Sequence, residues 1–427
     1  MLAHRRATSS FLHTARRTLA TVADSGFASS TVEGVKLATK EVDTPISTLS
    51  FVVKAGSRYS TTPGVAHALE RYAFQNTKTR SALRITRESE FLGASFSPSL
   101  SRDAIVLTAE FLKDDLAYFF EVLSDVFARP HLARHELAEV VGTLLKLDST
   151  AAAADPSVAV TEALHLAAYR RGLGLPLYAQ PSDSISATSV SDYKDIVYTK
   201  ANLAIVGSGI SLDKLSPLVA DFLEDAPAGT DVPLPSSPFY AGDVRVPSTA
   251  GNAVALGYAT SSSAPEFAVL AALLGGTPSI KWSYGSSLLA TATQGKAVAS
   301  LTPYAGSSLF KIIASAGSAE DTSAAAAAAA SVLKSVASKP VSSDDLKKAI
   351  AQAKFAAVSP LEGKPGLTAT GVSLLTTGAV PDTAAILSAL DSVTAEKVKS
   401  AAEAVVSKVA VAAVGKVAEL PYADELL

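Results

Sequence analysis

Three side chains between residues 64 and 77 have the spacing of a catalytic zinc site. His67 is followed by Glu70 and Arg71 after three and four residues, so an α-helix would place all three on one face. In the zinc-binding sequence H-x-x-E-H, the two histidines bind the metal and the glutamate activates a water molecule. Here the fifth position holds Arg71, whose guanidinium is always protonated and cannot bind zinc. The segment therefore has the spacing of a zinc hydrolase without its chemistry.

A short, largely buried helix must position these side chains. Thr62 is a residue type that caps helix N termini, and Pro63 is suited to a first helical turn. Val65, Leu69 and Tyr72 then recur at helical spacing. The sequence predicts a helix that is capped by Thr62, has Pro63 in its first turn and is largely buried.

The segment Gly64–Thr77 resembles the G-x-A-H-x-x-E-H-x-x-F-x-x-T segment of pitrilysin-type peptidases. This family includes the subunits of the mitochondrial processing peptidase and the two core proteins of the cytochrome bc1 complex. Its third zinc ligand is a glutamate on another helix, and the family spacing reaches Asp148 in this chain. His67 and Glu70 match the family site, whereas Arg71 and Asp148 depart from it. The resemblance implies that these four residues are vestigial, with no catalytic residues, no bound metal and no cofactor.

The helix predicted from residue 134 to residue 148 has an apolar stripe that ends at Asp148. The stripe consists of Leu137, Val141 and Leu144. A carboxylate on the buried side of a helix needs a partner, because an unpaired buried charge is strongly disfavoured. With the family fold, Arg71 is the nearest candidate, and its guanidinium would lie between Asp148 and Glu70 in the place of the metal. The alternative is that Arg71 extends into solvent and Asp148 ends its helix.

The composition describes a large chain without thiol chemistry. Its 427 residues are 48% hydrophobic, enough for two or more cores. Cysteine is absent from the sequence, which excludes disulfides, thiolate metal sites and cysteine nucleophiles. The net charge of −3 argues against nucleic acid as a partner. The sequence contains no run of about 18 uncharged apolar residues, so it predicts no membrane-spanning helix and only an indirect membrane association through partners.

Residues 1–19 have the composition of a mitochondrial presequence. They contain four arginines and no acidic residue, and the first acid is Asp24. Arginine- and serine-rich, acid-poor N termini of this kind are typical of mitochondrial targeting, and the arginines interrupt the apolar stretch that a secretory signal needs. The alternative is a disordered basic tail.

The order of predicted elements occurs twice along the chain. We predict a first domain over residues 28–225, a linker rich in proline over 226–240, and a second domain over 241–427. Strands are predicted at 35–40, 48–55, 88–97, 104–111 and 202–207 in the first copy, and at 252–258, 309–314 and 409–415 in the second. Helices are predicted at 114–127, 134–148, 157–169 and 212–223, and at 265–274 and 321–337. The family resemblance implies an α+β fold of two tandem homologous domains that face each other like a clam shell.

Three further features could carry chemistry. His131 and His135 are four residues apart and could share a helical face, but no third metal ligand is apparent, and the alternative is a pair of solvated histidines. Gly275–Gly276 lies where the processing peptidase α subunit has a longer glycine-rich loop, and it also fits an ordinary turn. His165 lies in an apolar segment and is predicted to be a core histidine. The second copy contains no histidine, so a zinc site of this type is confined to the first.

The resemblance also implies a function. The tail Leu420–Leu426 is similar to the C termini of core proteins, and with Arg71 it points to a non-catalytic core subunit of mitochondrial ubiquinol–cytochrome c reductase (respiratory complex III), needed for its assembly and stability. Such a subunit would lie on the matrix side of the inner membrane and pair with core protein 1 and other subunits in a dimeric complex. The alternatives are a subunit like processing peptidase α, which binds presequences without cleaving them, and a free zinc endopeptidase.

Overall fold

Two β-sheets that share the order of five strands form the framework of the chain. The computed structural model describes residues 21–22, 26–276, 285, 287–339 and 341–426. The predicted leader at 1–19 and residues 277–279 of the predicted glycine-containing turn lie outside these residues. Twelve strands occur in the described part: β1 Thr21–Val22, β2 Phe27–Val32, β3 Val35–Lys40, β4 Ile46–Val53, β5 Ser95–Leu100, β6 Ile105–Leu112, β7 Leu203–Ser208, β8 Asp243–Pro247, β9 Asn252–Thr260, β10 Ala297–Tyr304, β11 Ser307–Ala316 and β12 Ala410–Gly415.

The internal repeat is visible in the order of these strands. The first sheet has the order β1-β2-β3-β7-β4-β6-β5, and the second has the order β10-β11-β9-β12-β8. Read in reverse, the second sheet repeats the five strands from β3 to β5 of the first. In each set of five strands the middle strand is antiparallel to both neighbours, with Phe51 of β4 opposite Leu107 and Ile205, and Leu256 of β9 opposite Ile312 and Val411. The predicted α+β fold of two tandem domains is confirmed.

Sixteen α-helices of the described residues surround the sheets. They are α1 Val65–Arg71, α2 Ala82–Phe91, α3 Leu116–Ala128, α4 Arg134–Glu136, α5 Gly142–Ala154, α6 Pro156–Tyr169, α7 Ala187–Val197, α8 Leu212–Phe222, α9 Pro265–Leu274, α10 Leu288–Thr293, α11 Ala319–Ser338, α12 Ser343–Val358, α13 Lys364–Thr377, α14 Thr383–Asp391, α15 Ala395–Ser407 and α16 Ala423–Leu426. Helices α1, α3 and α8 cover one face of the first sheet, and α9, α11 and α15 cover one face of the second. No helix of the described residues is both long and apolar enough to cross a membrane.

The two halves exchange one helix each. Helix α6 of the first half packs on the second sheet, where Leu164 lies directly over Gly257. Helix α13 of the second half packs on the first sheet, where Gly371 lies directly over Val52. Lys36 of β3 donates a hydrogen bond from Nζ to the carbonyl of Leu374 near the end of α13, at 2.8 Å. Each sheet therefore has its second face buried by a helix from the other half.

Three predicted boundaries were wrong. The helix predicted to end at residue 148 continues to Ala154. The predicted strand at 88–97 is the end of α2 followed by β5, because Ser81 caps α2 by accepting the N–H of Arg84 and the helix continues to Phe91. The helix predicted to be capped by Thr62 starts at Val65, and its N-terminal capping residue is Gly64 with φ of 79°. A Cβ at Gly64 would lie 2.8 Å from both Ala179 Cβ and Ile185 Cδ1, so packing against this loop sets the start of α1.

Candidate functional site

Helix α1 carries His67, Glu70 and Arg71 into contact with the helix that bears Asp148. Residues Val65 to Glu70 of α1 are buried, and the helix is only seven residues long. Its position depends on tertiary packing, because a helix of two turns is not stable by itself in water. The side chains of His67 and Glu70 are 2% and 5% exposed, whereas Arg71 is 32% exposed. Arg71 is thus the member of the site that reaches toward solvent.

The helix of Asp148 contains a π-helical turn. Residues Leu137–Val141 form this turn between α4 and α5, and a Cβ at Gly142 would lie only 2.8 Å from the carbonyl oxygen of Leu137. A π turn adds one residue to the helical repeat and rotates the following face. The buried residue next to Asp148 is consequently Leu145, 7% exposed, while Leu144 of the predicted stripe is half-buried. Asp148 still faces α1, with its side chain 22% exposed.

The predicted contact between Arg71 and Asp148 is present. Arg71 Nε donates to Asp148 Oδ2 at 2.6 Å and lies 3.4 Å from Glu70 Oε2. His67 Nε2 also lies 3.1 Å from Asp148 Oδ2. Two side chains from α1 therefore contact one carboxylate from α5, and the permanent cation of Arg71 lies between the acids Glu70 and Asp148.

The hydrogen bonds of His67 fix its protonation. Its Nδ1 accepts the backbone N–H of Ala179 at 3.1 Å, so the proton of the neutral ring is on Nε2 and is donated to Asp148. Burial lowers the pKa of His67, although the hydrogen bond to Asp148 opposes this shift, so the ring is neutral near pH 7. Both ring nitrogens are occupied. His67 has no free lone pair to offer a metal in this arrangement.

These side chains do not provide the ligands that a zinc ion needs. A catalytic zinc site needs three protein ligands with free lone pairs and an open fourth position. His67 Nε2 carries a proton, and the Asp148 oxygen that it contacts is bound to the Arg71 guanidinium. A guanidinium at this distance also repels a divalent cation. What the arrangement can do is hold two helices together through an ion pair and two hydrogen bonds.

Burial makes Glu70 an unusually weak acid. Burial raises the pKa of Glu70 from 4.5 to about 7, an effect that Arg71 partly offsets and Asp148 increases. Because the folded state holds this proton more tightly than the unfolded state, the free energy of unfolding falls as pH rises from about 4.5 through 7.

We expect Glu70→Gln to flatten this dependence. The fall in unfolding free energy between pH 5 and pH 8 should be smaller in the variant by up to about 3 kcal/mol, measured by urea unfolding at a series of pH values. His67 contributes in the opposite direction, since its lowered pKa costs stability as pH falls below 6.5, and this contribution is common to both proteins. The exposed Glu396→Gln is the control, and an equal dependence in all three proteins would contradict the expectation.

Comparison with known proteins identifies the family. Residues 36–180 match the model described as insulinase (peptidase family M16), and residues 184–353 match the one described as the peptidase M16 inactive domain. Cytochrome b-c1 complex subunit 2 of Neurospora crassa is 39% identical, over 97% of this chain and 94% of the relative. The same subunit of Schizosaccharomyces pombe is 36% identical, over 92% and 94%, and that of Cryptococcus neoformans is 34% identical, over 89% of each chain. The chain belongs to the cytochrome b-c1 complex subunit 2 family, within peptidase family M16.

The other histidines that the sequence singled out lie apart from this site. His131 and His135 are both exposed around the start of α4. His165 is 1% exposed, and the prediction of a core histidine is confirmed. Its Nδ1–H donates to the carbonyl of Thr161 at 2.7 Å, so its Nε2 accepts the hydroxyl of Tyr304 at 2.7 Å. Burial holds the pKa of His165 well below its usual value, so this ring is neutral.

Gly275 of the predicted glycine-containing turn lies at the end of α9 in the described part of the second half. Gly275 follows α9 with φ of 110°, and a Cβ there would lie 2.0 Å from Ser287 Oγ. A glycine is required at this position because both the backbone conformation and the neighbouring side chain exclude a larger residue. The geometry assigns Gly275 to the end of α9.

The sequence did not indicate the loop around Ala179 as part of the site. Its backbone N–H fixes the His67 ring, and the Tyr178 ring packs edge-on against His67 with centroids 5.5 Å apart. The residue type at position 179 does not indicate that its backbone N–H is a hydrogen-bond donor to His67, and Tyr178 is far from α1 in the sequence. Neither contact could be read from spacing.

Proposed function

We propose that this chain is a non-catalytic structural subunit of mitochondrial ubiquinol–cytochrome c reductase. The observation that carries the proposal is the Arg71 guanidinium 2.6 Å from Asp148, in the place where a peptidase of this family needs a metal. Membership of the subunit 2 family supports the same role. The chain then contributes folded surface to the assembly, and the haem, iron–sulfur and quinone chemistry belongs to other subunits.

We further propose core protein 1 and the other subunits of the complex as partners, with the complex a dimer and this chain on the matrix side of the inner membrane. Large apolar side chains on the outside of the fold support such contacts. Phe91 is 90% exposed, Phe355 74% and Leu147 60%. Phenylalanine is among the residue types enriched at protein–protein interfaces.

Co-migration on a native gel tests this function. Mitochondria are solubilised in mild detergent, and the chain is detected together with cytochrome b and with a soluble matrix marker. We expect the chain to run with cytochrome b at the size of the whole complex. A chain that runs instead with a soluble matrix peptidase would favour the presequence-binding subunit described above.

We also propose that residues 1–19 are a presequence that is removed after import. Their composition supports this, with four arginines and no acid. Amino-terminal sequencing of the chain isolated from mitochondria should find a start after residue 19. A chain that still begins at Met1 would rule out cleavage.

A further inference from the structure

The segment between the two halves is bound along its length. Residues 227–242, which we call the strap, form neither a helix nor a strand. Near its start, the N–H of Val232 donates to Asn202 Oδ1 at 2.9 Å. Near its end, the N–H of Tyr240 donates to the carbonyl of Ala168 at 2.7 Å. The strap is therefore fastened to the first half rather than free in solvent as a tether.

A buried ion pair lies where the strap meets both halves. Arg58 Nη1 donates to Asp103 Oδ1 at 2.7 Å, and the two side chains are 2% and 9% exposed. Arg58 Nη2 donates to the carbonyl of Pro235 in the strap at 3.1 Å. Arg58 Nη1 also donates to the carbonyl of Ala305 at 2.9 Å, and Asp103 Oδ2 accepts the N–H of Ala305 at 3.0 Å. Ala305 lies in the turn between β10 and β11 of the second half.

The position of this pair couples three segments. If the strap lifts away, the Arg58 guanidinium loses a carbonyl acceptor. If the second half rotates away, both charges lose their bonds to Ala305. Each loss leaves a buried charge with an incomplete set of partners, which is strongly unfavourable at low solvent exposure. Small openings at either place are therefore opposed by the same pair.

We propose that Arg58 and Asp103 form a lock that holds the strap and the β10–β11 turn against the first half, so that the two halves move as one body. The exchanged helices α6 and α13 join the sheets at their faces, whereas this pair fastens the covalent connection itself. The lock is a property of the chain alone and does not depend on the function proposed above.

Hydrogen exchange followed by mass spectrometry tests the lock on the full chain, purified with whatever subunits accompany it. In Arg58→Met, exchange should accelerate at least about tenfold in peptides covering residues 236–242, where the N–H of Tyr240 is hydrogen-bonded to Ala168, and residues 303–308, because local opening is no longer opposed. In Asp103→Asn, residues 303–308 should accelerate more than the strap, because the N–H of Ala305 loses a charged acceptor. Lys54→Met is the control, since Lys54 binds Asp231 of the strap at 2.8 Å, and it should affect only residues 229–233.

Two results would overturn the proposal. Exchange in both segments that stays within about twofold of the wild type in Arg58→Met and Asp103→Asn would mean that the pair opposes no local opening. Equal acceleration in every peptide of the chain would mean that the pair stabilises the whole fold without locking these segments. If Arg58→Met does not accumulate, Asp103→Asn decides by the same two criteria.

Discussion

Asp148→Ala should lower the free energy of unfolding of the first half by about 2–3 kcal/mol. Two groups lose their acceptor, the Arg71 guanidinium and the Nε2–H of His67. Breaking a fully buried ion pair costs about 3–5 kcal/mol and an exposed one about 0–1 kcal/mol. Asp148 and Arg71 are 22% and 32% exposed, so the pair itself falls between these limits. The buried His67 donor adds the cost of an unsatisfied polar group.

A double-mutant cycle separates the interaction free energy between Arg71 and Asp148 from their other contributions to stability. Arg71→Met combined with Asp148→Ala should recover about 1–2 kcal/mol relative to the sum of the single variants, because the second change removes the unpaired cation. Asp391→Ala breaks an exposed pair with Lys354, at 2.5 Å, and should cost less than about 1 kcal/mol. Urea unfolding of the four variants and the wild type gives these values. Strict additivity would mean that Arg71 and Asp148 do not stabilise each other.

Gly371→Ala should lower the free energy of unfolding by about 1–3 kcal/mol, because it forces α13 away from the first sheet. A Cβ at this position would lie 2.4 Å from Val52 Cγ2, near the C-terminal end of the buried strand β4. Val52 is fully buried and cannot move aside without disturbing β4. The loss should appear in the first half although the substitution is in the second, and fragment-resolved hydrogen exchange can locate it.

The matched control for this substitution is Gly317→Ala. No atom lies within 4 Å of a Cβ at Gly317, and its backbone conformation is open to other residues. This variant should stay within about 0.5 kcal/mol of the wild type. If the two alanine variants are equally stable, α13 does not pack on the first sheet as closely as the structure shows.

The contact between Arg71 and Asp148 could be predicted because it depends on local periodicity and on one family spacing. Helical geometry places residues three and four apart on one face whatever surrounds them. The π turn before Asp148 could not be predicted from the sequence. This turn moved the buried face of the helix from Leu144 to Leu145. Gly142 is the only residue in the sequence that could indicate this π turn, and a single glycine is compatible with many other local structures.

The errors in local structure have both tertiary and local causes. Gly64 starts α1 because the loop at Ala179 leaves no room for a side chain there, and that loop is distant in the chain. The strand predicted at 88–97 overlooked the cap at Ser81 and the buried positions Ile85 and Ser89 of α2, which give the helical period. The exchange of α6 and α13 depends on contacts between halves, which no single-segment pattern records.

The zinc content of the purified chain tests most directly whether an ion pair has replaced the metal. The full chain is isolated from mitochondria, dialysed against zinc-free buffer and measured by elemental analysis against its protein concentration. We predict far less than one zinc per chain, because His67 offers no free lone pair and the Arg71 guanidinium is bound to Asp148. A zinc content near one per chain would contradict this account of the site.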